Sequence, residues 1–190
     1  MKQIKNYIYN MKHIKNYINE KLHITTKSHT YSCQPKLWGE LRDIIVKRIE
    51  EDGKECDLNE IDVSKIENMS YMFCASGNKI FENFNGDISR WDVSNVKYMD
   101  TMFFGCKKFN CDISKWDVSN VKNMNYMFYG CEQFNCDMSR WDVSNVERMQ
   151  EMFKDCKNFN CDLSRWNVSN VKDMIDTFKG CPTKPEWYKE

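Results

Sequence analysis

Cys106 and Cys111, Cys131 and Cys136, and Cys156 and Cys161 form three thiol pairs at one spacing, and Cys181 closes the series. Thiolates are natural ligands of a tetrahedral metal, and two pairs from adjoining segments would supply a four-sulfur zinc site. The competing reading is a column of small apolar side chains, the usual behaviour of free cysteine inside a protein. Gly86 stands where the first such pair would have its second cysteine. A metal site has no use for that replacement, so the apolar column is preferred and a cysteine-based metal-binding protein is the alternative.

Asp87, Asp112, Asp137 and Asp162 form a second series, each two residues after Asn85, Asn110, Asn135 or Asn160. Stacked carboxylates suit calcium. More simply, they form a polar strip that holds a partner, or a solvated face balanced by Arg90, Lys115, Arg140 and Arg165 three positions on. Met99 and Met102, Met124 and Met127, and Met149 and Met152 read as flexible core filler. The three histidines, His13, His23 and His29, all lie upstream of these series. No Ser-His-Asp set, Cys-His pair or phosphate-cradling glycine loop can be assembled from them, so neither an enzyme nor a cofactor is expected.

These residues recur because the sequence does. Trp91, Trp116, Trp141 and Trp166 are 25 residues apart, as are Phe84, Phe109, Phe134 and Phe159, and Cys106, Cys131, Cys156 and Cys181. A fainter copy aligns Ile61 with Trp91 at a spacing of 30, its extra residues in "CASGNKIFEN" reading as a loop. Within a unit, Phe109, Cys111 and Ile113 alternate with polar residues, which predicts a short strand. Val121, Met124, Met127 and Phe128 recur at helical spacing, with Ser119 or Asn120 as N-cap and Gly130 at the end. Ser144 and Glu147 have capping-box spacing.

No single unit can bury so many apolar side chains alone; stacked units can. The expected fold is therefore α/β, a right-handed β/α solenoid of leucine-rich-repeat type with a helical N-terminal cap. Trp91, Trp116, Trp141, Trp166, Phe109, Phe134, Phe159 and the cysteines Cys106, Cys131, Cys156 and Cys181 form its core ladder. Residues 1–57 read as a helical segment and cap, 58–183 as the solenoid and 184–190 as the C-terminal cap. The cap helix is expected over 35–53, with Leu37, Leu41, Ile44, Ile45 and Ile49 as its apolar stripe. A weaker helix is expected around Ile14, Tyr17, Ile18 and Leu22, followed by a polar linker, and Trp187 and Tyr188 are expected over the last coil.

The 28 basic and 28 acidic residues cancel, which argues against a nucleic-acid binder. No apolar run approaches the length of a membrane span, and the Lys- and Asn-rich start lacks the apolar core of an export signal. The chain is accordingly expected to be cytoplasmic, with reduced thiols, starting at Met1 or Met11.

The unit F-N-x-D-[IML]-S-x-W-[DN]-V-S-N-V-x-x-M-x-x-[MT]-F-x-x-C resembles the short repeat of BspA-like leucine-rich-repeat proteins. The resemblance implies a β/α superhelix related to leucine-rich-repeat horseshoes, and binding rather than catalysis. Members of that family are often bacterial surface adhesins, and similar arrays occur in phage and mobile-element genes. The expected function is a non-enzymatic module that holds a protein partner on the strip Asn85, Asp87, Asn110, Asp112, Asn135, Asp137, Asn160 and Asp162. The alternatives are an adhesin exported by another route, or a phage- or mobile-element-encoded protein acting on host proteins. Function is also expected in the letters that differ between copies, such as Asn123, Asn125, Tyr126 and Tyr129.

Overall fold

The computed structural model describes residues 38–189. The sequence expectations for the weaker helix, the linker, the three histidines, the first residues of the cap up to Leu37 and the start codon fall outside them. The described chain begins with helix α1, Trp38–Asp52, inside the predicted cap. Leu41, Ile45 and Ile49 are its buried face. Gly53 ends it at φ 93°, where glycine has no Cβ to clash, and its N–H bonds back to the Ile49 carbonyl at 3.0 Å.

Beyond Gly53 the expected β/α solenoid does not form. Among the described residues there is no β-strand, and α1 is accompanied only by a 3-10 helix, Lys79–Asn83. The 25-residue units are made of tight turns, joined by isolated parallel bridges: Asn68 to Tyr98, Tyr98 to Asn123, Asn123 to Arg148 and Arg148 to Asp173. The physical reason is visible in the predicted helix 119–131. Its odd-numbered amides close short turns: Val121 to the Val118 carbonyl, Met127 to Met124, Tyr129 to Tyr126 and Cys131 to Phe128. Its even-numbered amides leave the unit. Met124, Tyr126, Phe128 and Gly130 donate to Arg148, Gln150, Met152 and Lys154 of the next coil at 2.8–2.9 Å. Those N–H groups are therefore lost to an i→i−4 ladder. Tyr126 at φ 58° and Gly130 at φ 69° also sit in the left-handed region, which no α-helix passes through.

The predicted strand 109–114 fails for a related reason. Asp112 accepts the Ser114 amide on Oδ1 at 3.0 Å, and Asp117 does the same for Ser119 at 3.0 Å. These Asx turns bend the chain twice within one short stretch. The predicted caps have other work. Asn120 donates its side-chain amide to the Ser94 carbonyl of the preceding coil at 2.7 Å, and Asn145 and Asn170 repeat the bond to Ser119 and Ser144. Ser144 receives the Asx turn of Asp142, and Glu147 pairs with Lys172 of the next coil at 2.7 Å.

The coils stack through their rings. Phe103, Phe128 and Phe153 lie 5.6 Å apart and nearly parallel, and each pairs inside the array with Phe109, Phe134 or Phe159 at 4.0–4.4 Å. The extra residues of the first unit do not loop outward. They form the 3-10 helix, whose N-cap Asn78 accepts the Ile80 amide, and Phe81 packs edge-on against Phe73 and Phe84 with no exposure.

Close packing of the first unit also explains Gly86. A Cβ at that position would lie 2.7 Å from the Cys56 carbonyl and 2.6 Å from the Phe84 ring. The Cys56 carbonyl is fixed, because it accepts the Asp87 amide. Gly86→Cys, which installs the repeat's own residue, is expected to destabilise the chain by about 1–3 kcal/mol through overpacking. Thermal melting checks this, and an unchanged midpoint would contradict it.

Candidate functional site

Asp87, Asp112, Asp137 and Asp162 come to the surface as an exposed row, with Asn110, Asn135 and Asn160 exposed beside them and Asn85 half-buried. The row is less free than its exposure suggests. Asn85, Asn110 and Asn135 each accept, on Oδ1, the backbone amide of the corresponding asparagine one coil on at 2.7–2.8 Å. Each aspartate holds the amide of the serine two residues later. Bonds from Ser114 hold the Asp112 carboxyl below its ordinary range, and the backbone amides of Ser139 and Ser164 do the same for Asp137 and Asp162. An open groove of about 520 Å³ runs between Asp137 and Arg140 on one coil and Asp162 and Arg165 on the next.

The thiols of a pair serve different neighbours. Cys106, Cys131, Cys156 and Cys181 donate to the carbonyls of Phe73, Phe103, Phe128 and Phe153 at 2.9–3.1 Å. The first three are buried and Cys181 is half-buried. Burial pushes the Cys106, Cys131 and Cys156 thiols well up from their ordinary value, and Cys181 up to about 11. Cys111, Cys136 and Cys161 instead accept the amides of Ile88, Ile113 and Met138 at 3.2–3.5 Å. Among the described residues no group of three or more His, Cys, Asp or Glu side chains could hold a metal ion.

The tryptophans bond as regularly as they pack. Trp91, Trp116, Trp141 and Trp166 are all buried, and each indole N–H donates to a carbonyl of the preceding coil: Leu58, Ile88, Ile113 and Met138. Trp187 continues the series from the C-terminal segment, donating to the Leu163 carbonyl at 2.8 Å. Phe109, Phe134 and Phe159 are buried with them.

A different segment of the coil carries the variation. The bridged positions hold Asn68, Tyr98, Asn123, Arg148 and Asp173 in turn, five side chains of four chemical types. Their neighbours vary as much. Phe104 stacks on Tyr129 at 4.6 Å, and the Lys154 ammonium lies 5.4 Å from the Tyr129 ring centre. Lys154 also pairs with Glu151 at 2.6 Å, and Asp176 pairs with Lys179 at 2.7 Å. Toward α1 this ladder face turns aromatic. Trp38, Tyr71 and Tyr98 are 39%, 52% and 43% exposed. With Asn68, Ser70 and Asp100 they line a hollow of about 500 Å³. Asn123, Asn125, Tyr126 and Tyr129 lie in this same segment, half-buried. Tyr71 and Arg148 are not singled out by the sequence patterns. The only signal for Tyr71 and Arg148 is that their letters change between copies at fixed positions.

Comparison with known proteins adds a family. The model of a family described as "Mycoplasma protein of unknown function, DUF285" matches residues 46–141 and 75–186. The chain belongs to this family. The two matches overlap, as an internally repeated sequence allows, so DUF285 is met here as a repeat family. Nothing among the curated proteins and nothing among the solved structures matches this chain. No helix among the described residues is long and apolar enough to cross a membrane.

Proposed function

We propose that this DUF285 chain is a non-enzymatic repeat module, with units of BspA-like kind, that holds a protein partner on its ladder face. One observation carries the reading. The letters that stay constant between coils are absorbed in joining one coil to the next, whereas the letters that vary come out together around the bridges from Asn68 to Asp173. Exposed tyrosine and tryptophan beside arginine is the composition of interface hot spots. The Asn-Asp strip is the lesser contact, because one oxygen of each aspartate already holds a turn.

The test compares two variants by affinity capture from the native cell with mass-spectrometric readout. The first carries Tyr71→Asn, Tyr98→Ser and Arg148→Ser; all three side chains are exposed. The second carries Asp112→Asn, Asp137→Asn and Asp162→Asn, which removes charge and keeps the Oδ1 that each turn requires. The first variant is expected to lose recovery of the partner by at least about tenfold, the scale of one hot-spot residue. The second is expected to keep most of it. Equal recovery by the first variant and the unsubstituted chain would remove the ladder face from contention.

A further inference from the structure

Every interior coil hands four backbone N–H groups to the coil after it. Met124, Tyr126, Phe128 and Gly130 do so, and Met149, Glu151, Phe153 and Asp155 repeat the pattern onto Asp173, Ile175, Thr177 and Lys179. The corresponding donors of the last coil are Met174, Asp176, Phe178 and Gly180. Among the described residues no acceptor meets any of the four. Met174 is half-buried where Met149 and Met124 are fully buried, and Ile175 is 65% exposed. A hollow of about 730 Å³ lies over this edge, between Lys172–Lys179 and Tyr188–Lys189.

The two ends of the array are treated differently. At the first coil the outward groups are carbonyls, and α1 covers them. Trp38 donates its indole N–H to the Ser70 carbonyl at 2.8 Å, and the Arg42 guanidinium donates to those of Tyr71 and Met72. At the last coil only the tryptophan side is closed, by Trp187 on the Leu163 carbonyl and by Trp187 and Tyr188 edge-on against Phe178. Among the described residues the ladder side stays open.

We propose that this open edge is a docking site for a short segment of a partner protein that takes the path of half a coil. It presents backbone carbonyls at residues i, i+2, i+4 and i+6, the register in which Arg148, Gln150, Met152 and Lys154 serve the coil before them. The chemistry selects this occupant. A row of donors needs acceptors, so two copies cannot meet edge to edge. A second copy cannot add head to tail either, since α1 lies over its own first-coil edge, where Trp38 holds the Ser70 carbonyl and Arg42 that of Met72. A whole further coil is shut out, because Trp187 already fills the next indole position. What fits is the ladder half alone, with an apolar side chain against Met174 and Ile175. Strand addition to an exposed edge uses the same principle, backbone bonds for affinity and side-chain pockets for selection. This edge adjoins the ladder face at Asp173, but the proposal rests on the open amides and not on partner binding by that face.

The probe is a synthetic peptide of residues 146–155, VERMQEMFKD, titrated into the ¹⁵N-labelled full chain. The amide signals of Met174, Asp176 and Gly180 are expected to shift saturably and to exchange with solvent at least about tenfold more slowly. A scrambled peptide of the same composition is expected to leave them unmoved. Ile175→Asp, at a side chain that contributes little burial, is expected to weaken binding about tenfold without lowering the melting temperature. Three results would each overturn the proposal. The first is protection of these amides in the free chain equal to that of Met149, Glu151 and Asp155. The second is an equal response to the scrambled peptide, or none to either. The third is equal binding of an alternating Val-Thr strand peptide, which would show generic strand addition and no coil register.

Discussion

Phe128→Ala is expected to lower the stability of the chain by about 3–5 kcal/mol, the usual cost of emptying a buried phenylalanine site. Phe128 has no exposed surface. Its ring meets Phe103 and Phe153 at 5.6 Å, Phe134 at 4.1 Å, Phe109 at 6.4 Å and Trp141 at 6.5 Å. The substitution therefore thins the contact with the coil before and the coil after. In an array held by nearest-neighbour contacts, weakening two interfaces at the centre uncouples the halves. Urea unfolding followed by tryptophan fluorescence should show a lower midpoint and a broadened or split transition. A loss below about 1 kcal/mol with one sharp transition would mean that the Phe column is not what joins the coils.

Trp116→Ala is expected to cost about 3–5 kcal/mol as well, by a second route. The indole is 4% exposed and lies parallel to Trp91 at 6.5 Å, and its N–H satisfies the Ile88 carbonyl at 3.2 Å. Removing it opens a cavity and deletes one of the two hydrogen bonds on the Ile88 carbonyl, which keeps only the Trp91 amide. Trp187→Ala removes an equivalent bond, to the Leu163 carbonyl. That side chain is half-buried, with no coil stacked on it among the described residues, so its loss should cost less than half as much. Denaturation of the two variants side by side is the check. Equal losses would contradict a core whose strength comes from stacking.

Much of this core was legible because its signal is the repeat itself. The 25-residue spacing singled out Trp116, Phe109, Phe134 and Cys131 as packing residues, and all four are buried. The conformation of the unit was not legible, and the residues show why. Val121, Met124, Met127, Phe128 and Cys131 all point inward, as a helix would arrange them. Three-residue turns place much the same positions inside, so burial alone cannot separate the two. The difference lies in where Met124 and Tyr126 send their amides, to carbonyls in the next coil. No pattern within a short window contains that partner. Asn120 misled in the same way, since asparagine suits a helix cap and equally a bridge between coils. The site was legible in part. The strip from Asn85 to Asp162 is exposed at all but its first residue, yet its turn-holding bonds were hidden. The aromatic hollow at Trp38, Tyr71 and Tyr98 brings together residues from α1 and two different coils, a meeting that only the fold creates.

The central claim is that each coil is completed by the next, and residue-resolved amide hydrogen exchange tests it most directly. The claim predicts that Met124, Tyr126, Phe128 and Gly130 are among the slowest amides, with Met149, Glu151, Phe153 and Asp155 matching them. It predicts that protection falls by at least about tenfold at Met174, Asp176 and Gly180, which meet no acceptor among the described residues. Continuous, helix-like protection across 119–131, or equal protection of the last coil, would contradict it.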